Sequence, residues 1–100
     1  PGSEDLTAEL ETIWSQVKPL HANKAPDAEW ASVTGTVSPK LAEIAEEATS
    51  RGAGPSQPEL QMVLMLASSS VPKVLESKSA TKDTQIKVID NTLSRLKTPQ

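Results

Sequence analysis

The run Leu60-Gln61-Met62-Val63-Leu64-Met65-Leu66-Ala67 is the most apolar stretch of the chain, and it sets what the remaining residues must do. On a helix advancing about 100° per residue, Leu60, Val63, Leu64, Ala67, Val71, Val74 and Leu75 share one stripe, while Met62, Met65 and Leu66 fall on the other side. A helix that is apolar nearly all round is either enclosed by neighbours or offers a second face to a partner. It is too short to cross a bilayer, which needs roughly 20 mostly apolar residues, so no membrane span is expected.

The neighbours that could enclose it are limited. One hundred residues, 36% of them hydrophobic, suffice for a single domain with one modest core. With two tryptophans, no phenylalanine and no tyrosine, that core must be aliphatic, as in helical bundles. The absence of cysteine excludes a disulfide framework and thiolate metal sites and leans toward the reducing interior of a cell. No secretory, transit or lipidation motif is legible in these residues, and the expectation is an intracellular, cytoplasmic protein. Pro1-Gly2-Ser3 has the composition of a scar left by fusion-tag removal. The expected organisation is a tag remnant over residues 1–3, one helical domain over 4–97 and a tail over 98–100, taken from a larger protein. Charge divides unevenly: residues 1–50 hold nine acids against three lysines, a net of −6, and residues 51–100 hold four acids against seven bases, a net of +3. Such halves attract each other within one bundle or present opposite patches to partners.

Leu6, Leu10, Ile13, Trp14, Val17 and Leu20 occupy one face of a predicted helix from about Glu4 to Ala22, with Ser3 placed to cap it and Pro19 on the outward side. A second predicted helix runs from about Asp27 to Ser50. Its stripe of Trp30, Val33, Val37, Leu41, Ile44, Ala45 and Ala48 stays in phase through Pro39, with a kink or brief interruption expected around Gly35 to Pro39. After the loop Arg51-Gly52-Ala53-Gly54-Pro55, the sequence Ser56-Gln57-Pro58-Glu59 has the pattern of a capping box. It would open a third helix reaching about Lys78, weakest at Ser68-Ser69-Ser70 before Pro72. Ser79 to Thr81 reads as a short connection, with Thr81 capping a fourth helix that carries Ile86, Ile89, Leu93 and Leu96 and ends near Lys97. The expected fold is therefore all-α, an antiparallel up-down four-helix bundle with proline-kinked helices. The alternative is two stacked helical hairpins of the helical-repeat kind, suggested by the likeness of Val37-Ser38-Pro39-Lys40-Leu41 to Val71-Pro72-Lys73-Val74-Leu75.

Catalysis needs a nucleophile, a base or a metal held by a second group, and the chain has one histidine and neither cysteine nor tyrosine. His21 cannot form a two-histidine metal site. Gly52 and Gly54 lead into Pro55, which removes a backbone donor that a phosphate loop would use. Glu43, Glu46 and Glu47 have the spacing of a solvated face. No enzyme, no cofactor and no metal site are expected. His21-Ala22-Asn23-Lys24 locally resembles histidine phosphotransfer domains, four-helix bundles whose phosphorylated histidine is followed three residues later by lysine. The resemblance covers those four residues and implies an exposed imidazole at His21 that carries a phosphoryl group.

Lys78, Lys82, Lys87, Arg95 and Lys97 make the last helix and its approach basic. Asp83 and Asp90 interrupt them and the helix has no aromatic for stacking, so no nucleic-acid partner is expected. The leading expectation is a non-catalytic interaction module, an adaptor or scaffold domain, that binds a helix or peptide of another protein beside the third helix. Met62, Met65 and Leu66 exceed what one stripe buries, and methionine adapts well to a partner's shape. Lys82 and Lys87 would add charge for an acidic peptide. The alternatives are phosphotransfer through His21 and carriage of a small apolar ligand in an internal cavity.

Overall fold

Apolar residues recurring at three- and four-residue steps wind nearly all of the chain into helices. A computed structural model describes residues 3–76 and 79–97. Helix α1 spans Glu4–Ala22, α2 Asp27–Ser50, α3 Pro58–Met65, α4 Val71–Glu76 and α5 Ser79–Lys97, and a π-helical turn, Leu66–Ser70, joins α3 to α4. The protein is all-helical, with no strand among the described residues. The expected tail and the first two residues lie outside the described residues, as does the stretch joining α4 to α5.

Helix α1 packs on α2 and α5, α2 on α3 and the π turn, and α4 on α5. The core they share is aliphatic. Leu10 and Val17 of α1, Val37 and Leu41 of α2, Val63 of α3, Val71 and Val74 of α4 and Ile89 of α5 are buried together with Trp14. The six apolar positions expected on α1 are all buried, and Pro19 lies exposed on the opposite side.

Both α1 and α2 run unbroken through their prolines. The interruption expected around Gly35–Pro39 does not occur, because the defect faces water. Pro39 cannot donate to the carbonyl of Gly35, and both residues are exposed, so solvent can satisfy that carbonyl. Pro72 is handled differently. Ahead of it the backbone widens, and Val71 N–H donates to the carbonyl of Leu66, five residues back. This π turn coincides with the serine run read as the weakest part of the third helix, and Ser68 Oγ donates back to the Leu64 carbonyl at 2.6 Å.

Three caps differ from expectation. Ser3 stands at the N-cap of α1, yet its hydroxyl donates to Glu59 Oε2 at 3.0 Å, while its carbonyl receives both Thr7 N–H and Thr7 Oγ1. The capping box does not form. Pro58 keeps the residue before it out of helical geometry, so Gln57 (φ −131, ψ 72) becomes the boundary, and Ser56 stands one position too early. Thr81 lies inside α5, which begins at Ser79, three residues earlier than expected.

A Cβ at Gly35 would meet nothing within 4 Å, and its φ is ordinary for a helix. Gly35→Ala is therefore expected to raise stability by about 0.5–1 kcal/mol, read as a higher urea midpoint with an unchanged slope.

Candidate functional site

The buried arc of the third rod is centred on Val63, not on Leu60 and Val71. With a step of about 100° per residue, Leu66 lies about 60° from Val63, whereas Met65 lies about 160° away. Leu66 is accordingly 1% exposed and belongs to the core, and Met65 is 48% exposed. Met62 sits at the edge of the arc, half-buried. Of the three residues expected to exceed the stripe, Leu66 is thus corrected to an interior position, because α3 and the π turn touch α1, α2 and α5 and are covered over a wide arc.

Lys82 is likewise corrected. It falls on the same stripe as Ile86, Ile89 and Leu93, at steps of four, three and four residues, and is only 6% exposed. Its stem lies against the apolar interior, a common use of lysine methylenes. Its ammonium donates to the Val74 carbonyl at 2.7 Å and stands 4.4 Å from the centroid of the Trp30 ring. The contact gives the Val74 carbonyl, in the last turn of α4, a side-chain donor. Desolvation pushes the ammonium's pKa below the ordinary lysine value. Lys87 is exposed.

Polar pairs along the seam of α1 and α5 recur at seven-residue steps. His21 Nε2 meets Asp83 Oδ1 at 2.6 Å, and Trp14 Nε1–H donates to Asp90 Oδ1 at 2.8 Å. Lys18 Nζ pairs with Asp90 Oδ2 at 2.8 Å, and Lys97 Nζ with Glu11 Oε2 at 3.3 Å. Desolvation raises the Asp90 pKa, but the hydrogen bonds from Lys18 and Trp14 and the lysine's charge outweigh it, leaving the carboxyl below its usual range. The phosphotransfer reading calls for an imidazole standing free in solvent. The His21 side chain is 24% exposed, and its Nε2 is paired with the Asp83 carboxylate.

At the start of α1, Arg51 forks onto Asp5, with Nη1 and Nη2 at 2.8 and 2.9 Å from its two oxygens, and its Nε reaches Glu47 at 2.8 Å. Shallow depressions of about 710, 530 and 250 Å³ are open to solvent. They lie over Glu43, Glu46 and Glu47, over Trp14, Lys18, Asp90 and Leu93, and over Asp5, Glu9 and Arg51. A ligand carrier calls for an enclosed apolar cavity, and these have charged linings. Among the described residues no group of three or more His, Asp or Glu is placed to hold a metal, and no helix is long and apolar enough to cross a membrane. Comparison with known protein families, with curated proteins and with solved structures finds no match.

Two measurements probe this placement. Leu66→Ala should cost about 2–5 kcal/mol in urea unfolding, while Met65→Ala should cost under about 1 kcal/mol. The hydrogen bonds from Arg51, helped by its charge, hold the Asp5 carboxyl at about 2, below its ordinary 3.8. Because the folded value is depressed, the pair's contribution to stability is full above the ordinary value and is lost as pH falls through the folded one. An NMR titration should find the Asp5 carboxyl near 2 in the native chain and returned toward 3.8 in Arg51→Gln.

Proposed function

We propose that this chain is a non-catalytic helical module that binds another protein, with Met65 and the flanking Met62 as anchors for a partner's amphipathic helix or peptide laid beside α3. One observation carries the reading. Met65 and Val88 are the large hydrophobic side chains left exposed among the described residues, and Met65 lies within the most apolar run of the sequence. Lone exposed apolar residues are common, but a flexible thioether next to a half-buried second methionine forms an adaptable contact. Leu66 and Lys82 serve such a surface from beneath, by holding the rod in place, and Lys87 remains available as an exposed cation for an acidic partner.

We further infer an antiparallel up-down bundle of four rods bent at their prolines, with α3, the π turn and α4 forming one rod. Pairs support this arrangement: Glu11–Lys97 and Lys18–Asp90 advance in opposite chain directions, as do Asp5–Arg51 and the Glu9 and Glu43 that share one depression. An adaptor or scaffold role in the cytoplasm fits a cysteine-free chain with little reactive chemistry.

The test is to measure the affinity of partners captured by the native chain again with Met65→Glu. A carboxylate placed in a desolvated anchor pocket should weaken binding at least about tenfold while the far-ultraviolet circular dichroism stays unchanged. Equal affinity in the two proteins would remove the α3 surface from the reading.

A further inference from the structure

Helix α2 is one continuous element by its backbone and two by its packing. Its second half sends Val37, Leu41, Ile44 and Ala48 into the core. Its first half, residues 27–36, has no buried residue at all, and only Trp30, Val33 and Thr34 are even partly covered.

Three independent features weaken that first half. The N-cap position is Pro26, which provides no side-chain cap. Ser32-Val33-Thr34-Gly35-Thr36-Val37-Ser38 is a run of poor helix formers, and Thr36 Oγ1 turns back to the Ser32 carbonyl at 3.2 Å. Pro39 deprives the Gly35 carbonyl of its donor, so the ladder is cut where the two halves meet. Against these, the segment is held by the Trp30 ring over the Lys82 ammonium and by Trp30 and Val33, both partly covered, packed against the edge of the core.

We propose that residues 27–36 form a flap, hinged at Gly35–Pro39 and latched by Trp30 on Lys82, that opens as a unit while the rest of the domain stays folded. Opening uncovers the indole, Val33 and the otherwise buried Lys82. It is a gate over the contact of Lys82 with the Val74 carbonyl, on groups distinct from Met65. Segments with few buried contacts and solvent-facing hydrogen bonds open below the global free energy, which is what the packing of this half provides.

Amide hydrogen exchange on the whole chain tests the flap. After correction for intrinsic rates, amides of residues 30–36 should be at least about tenfold less protected than those of residues 41–48, with a step at Pro39. Pro39→Ala restores the missing donor and couples the two halves, so protection of residues 30–36 should rise several-fold relative to 41–48, which serve as the internal reference for global stability. Equal protection on both sides of Pro39 in the native chain would overturn the flap. So would a smooth gradient inward from residue 27 that Pro39→Ala leaves unaltered, since that pattern is ordinary end fraying.

Discussion

A core without phenylalanine or tyrosine accumulates its stabilisation one aliphatic side chain at a time, about 1.5–3 kcal/mol each, so every rod must contribute a full stripe. Val63 and Leu66 sit where those stripes converge, both essentially sealed from solvent. Leu60 and Leu66, about 120° apart on the same rod, are buried as well as Val63 between them, and so wide an arc calls for neighbours on more than one side. That is why α3 and the π turn contact α2 on one side and reach α1 and α5 on the other. Met65 is exposed for the same reason, since a rod gripped around one arc must show its opposite ridge.

The polar pairs are arranged around that core and add register. His21 with Asp83 and Trp14 with Asp90 are both offset by seven residues along each helix, so the two helices match over successive turns. Exposed ion pairs contribute little energy individually. Their position matters more, because sliding either helix by one turn would unmake all of them together and strand the Trp14 N–H. The charge imbalance between the halves of the chain is partly absorbed inside the molecule, where Arg51 bridges Asp5 and Glu47, and Lys97 meets Glu11.

Much of the helical framework was legible because periodicity reports which residues share a face. The limits of α2, the end of α1 at Ala22 and the core face Leu6 to Leu20 follow from spacing alone. What periodicity does not report is the width of the arc that neighbours cover, and this misplaced Leu66. Lys82 was misread for a related reason. Its charge suggested water, although its position four residues before Ile86 put it on the buried stripe. The absent capping box was foreseeable, since Pro58 alone bars Gln57 from the helix. The Glu47–Arg51 pair at four-residue spacing was also within reach, but its fork onto Asp5 depends on a loop whose path no local pattern fixes. For the candidate surface, sequence grouped Met65 with Met62 and Leu66 and could not tell that Met65 faces water while Leu66, its chain neighbour, turns inward.

The seam between α1 and α5 also bears on how the chain is made. Its two helices are the first and last of the described elements, yet Lys97 reaches Glu11 across the seam. A chain leaving the ribosome releases α1 long before its partner exists, so Leu10 and Val17 must meanwhile rest on α2 alone or on a chaperone. The seam thus closes only once α5 has been made, and the nearness of α1 and α5 makes the largely exposed loop over residues 51–57 a natural place at which to recut the order of the helices.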